Sequence, residues 1–306
     1  MVNLSVKIGK LRLKNPVIAA SGTFGMEYRR LIDVSSLGAI VAKTITLEPR
    51  AGNPPPRIAE TSSGMLNSIG LENKGLDDFI KDKIPLFPAG KTALIVSIAG
   101  DNEDEFAELV KRLNKIKKVG AIELNLSCPN VRHGAREGLT AQDEKAVYEI
   151  ISNVRAMTGL TLIAKLSPCV TDITKIARCA ESAGADALSL INTYPAMAVD
   201  IDTGKPKLGN ITAGLSGPAI KPIALKMVWD TYNKIKIPII GIGGIMDYKD
   251  AVEFILCGAT AVQVGTATFV NPKAAIDIKD GIMKYLTTNK ISDINRLIGA
   301  LSRGKL

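Results

Sequence analysis

The chain is poor in residues that many enzyme classes depend on. It has one histidine, His133, one tryptophan, Trp229, and only 4% aromatic residues. A histidine-based triad would have to use His133, and zinc catalysis through several histidines is excluded. Four cysteines, Cys128, Cys169, Cys179 and Cys257, are scattered without a C-x-x-C pair. That argues against a disulfide framework and leaves no iron–sulfur ligand run. No apolar run approaches the ~18 residues of a membrane span. The opening "MVNLSVKIGKLRLKNP" has no signal-peptide core, so a cytoplasmic protein is expected. Neither a Walker A sequence nor a G-x-G-x-x-G fingerprint is present, which disfavours nucleoside triphosphates and the usual form of dinucleotide binding. Acidic residues are in the minority, and the net charge is +9. This favours anionic ligands or a negatively charged partner and leaves RNA open. The densest basic cluster, Lys111, Arg112, Lys115, Lys117 and Lys118, shares a predicted helix with Leu109, Leu113 and Ile116. It reads as a solvated helix face.

What is present is a repeat. The 306 residues are 46% hydrophobic. Short apolar runs at 16–20, 39–43, 93–98, 121–126, 161–166, 187–191, 237–241 and 261–265 do not alternate with polar residues. That is the pattern of parallel strands buried on both faces. Stretches of helical period lie between most of them, as at 103–115, 144–157, 173–183, 220–232 and 248–256. The expectation is an α/β fold, a (β/α)8 TIM barrel in one domain over residues 1–306. Three insertions follow strands and so fall on the catalytic face: 45–73, 129–140 and 196–217. In the last, arms at 199–202 and 207–211 around Thr203-Gly204-Lys205-Pro206 predict a hairpin. The middle one, with Gly134 and Gly138, has the composition of a lid.

Several residue sets carry chemistry. The predicted strand "AIELNLS" runs into Cys128-Pro129-Asn130, and the proline ends it. Cys128 reads either as a proton-transfer group at a strand end or as a small buried thiol in a turn. Lys43-Thr44 and Lys165 lie at the ends of apolar strands, where a lysine is costly without a partner. Together they point to a site for anionic or electron-rich groups. Gly241-Ile242-Gly243-Gly244 and Gly265-Thr266 follow the last two strands, where this fold commonly binds phosphate. Asn67, Asn125, Asn130 and Asn192 sit in or beside strand-end loops. A ring of amides suits a planar ligand with alternating C=O and N–H groups, as in a pyrimidine, although each alone is also an ordinary turn residue.

Beyond these residue-level readings, "NPVIAASGTFG", "VAKTITLEPRAGNPPPRIAET", "GMLNSIGLENKG", "ELNLSCPNV", "AKLSP", "LSLINT", "AGLSGPAIKP", "PIIGIGGI" and "VQVGTA" follow one another in order. Together they resemble the class 1 dihydroorotate dehydrogenases over nearly the whole chain, and "NTYPAMAVDIDTGKPKLGNITAGLSGPAIKP" is similar to the NAD-linked 1B catalytic subunit. The resemblance implies an FMN-containing barrel that oxidises (S)-dihydroorotate to orotate in pyrimidine biosynthesis. It implies FMN contacts at Ser21, Lys43, Thr44, Ser97, Asn125, Lys165, Ile191, Gly217, Gly243, Gly244, Gly265 and Thr266. Ser97 departs from the asparagine expected there. It implies orotate contacts at Lys43, Asn67, Ser68, Ile69, Gly70, Leu71, Asn125, Asn130, Asn192 and Thr193, with Cys128 as the base for the C5 proton and the C6 hydride passing to the flavin. Lys43 would stabilise charge on the reduced ring. It further implies a homodimer core within a heterotetramer, completed by a partner subunit carrying FAD and a [2Fe-2S] cluster that meets NAD, with no metal in this chain. Rival readings are a fumarate-dependent type 1A enzyme, a tRNA dihydrouridine synthase, which the basic charge would suit, and a non-enzymatic barrel.

Overall fold

In the computed structural model, residues 2–88, 90, 92–126 and 142–304 are described. Eight parallel strands close into a barrel: β1 (Val17–Ala19), β2 (Ala39–Ile45), β3 (Ala93–Ile98), β4 (Val119–Asn125), β5 (Thr161–Lys165), β6 (Ala187–Leu190), β7 (Ile239–Ile242) and β8 (Ala259–Val264). Each expected apolar run meets one strand, and the boundaries agree to within two residues. The continuous Val, Ile, Leu and Ala content follows from the closure. Every strand is paired on both sides, with the packed interior on one face and the helix ring on the other.

Among the described residues, six helices longer than two turns lie in the outer ring: α1 (Glu103–Leu113), α2 (Glu144–Met157), α3 (Ile173–Ser182), α4 (Lys221–Tyr232), α5 (Tyr248–Leu256) and α6 (Ala274–Thr288). The first crossover departs from the repeat, because β1 reaches β2 through 3-10 turns at Met26–Arg30 and Val34–Ser36. α1 shows why the helices form where they do. Phe106, Leu109, Val110 and Leu113 bury one face at helical spacing. Asn102 caps the N-terminus by accepting from the Glu105 amide at 3.0 Å. Acidic residues fill its first turn and Lys111 and Arg112 its last, the order that suits the helix dipole. The basic cluster is also engaged locally. Lys111 pairs with Glu108, Arg112 pairs with Asp77, and Lys118 donates to the carbonyls of Ile84, Pro85 and Phe87. Among the described residues no helix is long and apolar enough to cross a membrane.

The first and third insertions build one structure. Ile58–Thr61 and Gly64–Asn67 form a hairpin from the first. Tyr194–Ala196 and Ala213–Ser216 pair from the third, and the two pairs join through Gly214 opposite Asn67 into a four-stranded antiparallel sheet. The predicted hairpin is therefore corrected in register. Its inner ladder is only Val199–Asp200 against Lys205–Pro206, the turn falls on 201–204, and residues 207–211 pair with no strand. The pairing with the first insertion uses residues 214–216, just beyond the expected second arm. The predicted lid at 129–140 lies outside the described residues.

At the opposite face, the hairpin Val6–Ile8 and Leu11–Leu13 covers the N-terminal strand ends, burying Ile8 and Leu13. Its turn needs glycine. Gly9 has φ +54°, and a Cβ there would lie 2.7 Å from Asp186 Cβ and 2.9 Å from Thr161 Cγ2. Gly9→Ala should lower unfolding stability by about 1–3 kcal/mol in urea titrations while leaving ligand affinity at the far mouth unchanged. A parallel loss of ligand affinity would contradict this separation of the two faces.

Candidate active site

The C-terminal strand ends surround a cavity of about 570 Å³. Seven of the eight barrel strands, all but β3, deliver residues to this mouth at or just beyond their C-terminal ends. Ser21 follows β1, Lys43 and Thr44 lie on β2, Asn125 ends β4, and Lys165 ends β5. Ile191, Asn192 and Thr193 follow β6, Gly243 and Gly244 follow β7, and Gly265 and Thr266 follow β8. Asn67, the turn 68–71 and Gly217 arrive on the antiparallel sheet and its flanks, and they line the same space. Ser97 does not. It is fully buried behind β2, where its hydroxyl sits 3.0 Å from Thr44 Oγ1, so its route to the cavity is indirect. At this point the cavity wall is Thr44, and Ser97 stands next to it. Cys128, Asn130 and His133 lie outside the described residues.

Lys43 is the single incompletely buried residue of β2. Its stem passes Gly22, whose added Cβ would meet Lys43 Cδ at 3.6 Å. Burial holds its ammonium below lysine's ordinary value, nearby Lys165 acts in the same direction, and Glu72 opposes both. Lys165 Nζ reaches Ser21 Oγ at 3.4 Å and Glu123 Oε1 at 3.9 Å. The amide edge is pre-ordered. Asn192 Nδ2 donates to Asn125 Oδ1 at 3.2 Å, Asn192 Oδ1 accepts from the Thr193 amide at 2.8 Å, and Asn67 Nδ2 reaches the Gly214 carbonyl at 3.3 Å.

The turn 68–71 is held by residues that sequence reading did not single out. Asn53 lines the cavity and donates to Ser68 Oγ at 2.7 Å, while its backbone amide donates to the Ile69 carbonyl at 3.1 Å. Asn73 Nδ2 donates to the Leu71 carbonyl and to Thr46 Oγ1, both at 2.8 Å, and its Oδ1 accepts from the Gly75 amide at 2.8 Å. These bonds hold Leu71 at φ +57°, a conformation costly for a branched side chain. The signal available in sequence was the density of Asn, Pro and Gly in "RAGNPPPR". Glu123 and Gln263 were also missed. For Glu123 the signal was a carboxylate within a buried apolar run.

The glycine turns after β7 and β8 form a cradle. At Gly244, φ +72°, a Cβ would lie 2.7 Å from the Gly217 carbonyl oxygen and 2.8 Å from Lys221 Cβ, so a side chain there would force the turn away from Gly217. Thr266 Oγ1 lies 2.8 Å from Ser216 Oγ beside it. Glycine turns and hydroxyls for a phosphate, two lysines and a rim of amides are a donor set that fits FMN with a small planar acid. Among the described residues no cluster of His, Cys, Asp or Glu could hold a metal ion.

A closed parallel barrel with cations, amides and glycine turns gathered at its C-terminal mouth is a TIM-barrel enzyme with an anion-receptive site. The family model described as "Dihydroorotate dehydrogenase" matches residues 3–286. A protein of Caldicellulosiruptor bescii named "Dihydroorotate dehydrogenase B (NAD(+)), catalytic subunit" is 52% identical over 303 residues, covering 98% of this chain and 100% of that protein. A protein of the same name from Trichlorobacter lovleyi is 53% identical over 300 residues, covering 97% of this chain and 98% of the relative. Among solved structures, the Eimeria tenella DHODH in complex with ferulenol superposes with a TM-score of 0.79 at 28% identity, covering 98% of this chain and 89% of that one. The chain belongs to the dihydroorotate dehydrogenase family, and is thus an oxidoreductase.

The lowered Lys43 value has a stability consequence. The unfolded chain holds this proton more tightly than the folded one, so the stability linked to Lys43 rises with pH between its folded value and the ordinary 10.5. Below that window the full cost of burying the charge is present. Lys43→Met, measured without ligand, should therefore raise the urea midpoint at neutral pH, and the gain should shrink as pH climbs through the window. A variant less stable than wild type at neutral pH would show that burial does not penalise this charge.

Proposed function

We propose that this chain oxidises (S)-dihydroorotate to orotate in pyrimidine biosynthesis, as the FMN-holding catalytic half of an NAD-linked enzyme built as a single barrel domain. The observation that carries the reading is the convergence of Lys43, Lys165, three asparagine amides and two glycine turns on one cavity. Family membership and the names of the relatives support it. FMN, when bound, supplies the acceptor for two electrons.

This chain's residues would do the rest. Gly243, Gly244, Gly265 and Thr266 would take the phosphate. Ser21, Thr44, Ile191 and Gly217 would border the rest of the cofactor, and Lys165 would face its electron-rich edge. Asn67, Asn125 and Asn192 would match the alternating C=O and N–H groups of the pyrimidine, and Asn130 would join them. The turn 68–71 and Thr193 would take the substrate carboxylate. Oxidation removes a proton from C5 and a hydride from C6, leaving a C5–C6 double bond. Cys128 would take the proton. A free thiol has a pKa of ~8.5, so its competence as a base grows as pH rises toward that value. Lys43 would offset negative charge that develops as the C–H bonds break.

Electrons would leave through a partner carrying FAD and a [2Fe-2S] cluster, in a cytoplasmic heterotetramer around a homodimer of this chain. No iron–sulfur ligand run or dinucleotide fingerprint occurs in this sequence, consistent with such a division.

Anaerobic mixing with dihydroorotate should bleach the oxidised flavin band of the purified chain, and neither NAD nor fumarate should restore it until the partner is added. Reoxidation by fumarate alone would assign type 1A instead. Absence of bleaching would remove dihydroorotate as the substrate. Cys128→Ala should cut the bleaching rate by about a hundredfold or more with orotate affinity kept; full activity in this variant would remove Cys128 as the base.

A further inference from the structure

One carboxyl group beneath the mouth has no part in the chemistry above. Glu123, on β4, has no exposed surface. Its Oε2 accepts from Gln263 Nε2 at 2.7 Å and from Ser189 Oγ at 3.0 Å, and Gln263 Nε2 also lies 3.1 Å from Ser189 Oγ. Its Oε1 accepts no hydrogen bond among the described residues and lies 3.9 Å from Lys165 Nζ. β4, β6 and β8 are alternate strands of the barrel, so these three side chains meet in an interior layer. Such layers are ordinarily filled by branched apolar residues. A carboxylate withdrawn from water is costly unless paired, and an apolar residue would fill this place without that cost.

The surroundings give the carboxylate a purpose. Gln263 and Ser189 fix Oε2, which leaves Oε1 turned toward Lys165. Lys165 is 6% exposed, and the cavity is the space it lines. Lys43 lines the same cavity from β2, with Glu72 as its nearby opposite charge, so the two ammonium groups repel. Among the described residues, Lys165 without Glu123 would keep only the Ser21 hydroxyl and face Lys43 with no opposite charge of its own.

We propose that Glu123 is a positioning residue: clamped by Gln263 and Ser189, it supplies the counter-charge that keeps Lys165 aimed at the cofactor edge of the cavity. This inference rests on the flavin reading above. It separates charge from shape. Glu123→Gln keeps the shape and loses the charge, whereas Glu123→Asp keeps the charge and shortens the side chain by one methylene.

The test is FMN affinity of the full chain stripped of flavin, followed by flavin fluorescence. Glu123→Gln should bind FMN about tenfold more weakly than wild type, and Glu123→Asp should stay within about threefold. In a Lys165→Met background, Glu123→Gln should cause no further loss, since the carboxylate acts through that lysine. A packing role predicts the reverse order, with Asp worse than Gln. That order, an unchanged Glu123→Gln affinity, or additive losses would each overturn the proposal. Should Glu123→Gln not fold, Glu123→Leu combined with Lys165→Met carries the test. Binding equal to that of Lys165→Met alone supports the role, and a further loss overturns it. Wild-type chain that binds no FMN would overturn the flavin reading and this inference together, a result distinct from all the others.

Discussion

Lys43 and Lys165 put two positive charges on the wall of one cavity. Neither can retreat, because β2 and β5 are each hydrogen-bonded to a neighbour on both sides of a closed barrel. In water two such charges would separate and hydrate. Here the fold fixes them and places one opposite charge near each, Glu72 for Lys43 and Glu123 for Lys165. Glu72 is also paired with Arg57, so Lys43 shares its counter-charge, and an anionic group in the cavity would complete the balance. Ligand affinity and fold stability are therefore linked: a group that binds the folded chain and neutralises the pair stabilises it by mass action.

The closed barrel also divides labour between its ends. At one face the N-terminal hairpin seals the strand ends with apolar side chains and a turn that only glycine fits closely. At the other face the strand ends stay open, and the polar residues gather there. This explains why one rigid framework carries a demanding electrostatic arrangement at its mouth without weakening its base.

Much of this was readable in the residues. The eight apolar runs were legible because burial on both faces removes the polar alternation that other strands show, and closure makes that true of every strand. Lys43 and Lys165 were legible for the complementary reason, as cations at the ends of otherwise apolar strands. The glycine turns after β7 and β8 showed as Gly-rich interruptions. What sequence could not supply was partnership across long separations. Ser97 lies behind Thr44 because β3 runs beside β2 in one particular register. Glu123, Ser189 and Gln263 meet only once the barrel closes. The pairing of the two insertions was not legible because its partners lie far apart in the chain, and a local hairpin reading had no access to it.

That antiparallel sheet carries a consequence for the evolution and engineering of such barrels. Asn67, from the first insertion, stands opposite Gly214, from the third, and its side chain reaches the Gly214 carbonyl. Gly214 in turn packs against Thr193, so closely that a Cβ on it would lie 2.1 Å from the threonine hydroxyl. Two segments well separated in sequence thus form one structural unit. A chimera that exchanged either insertion alone would shift the register of both, and with it the spacing of Asn67 from Asn192 and Thr193. Transfer of substrate preference between related barrels would need the two segments moved as a pair.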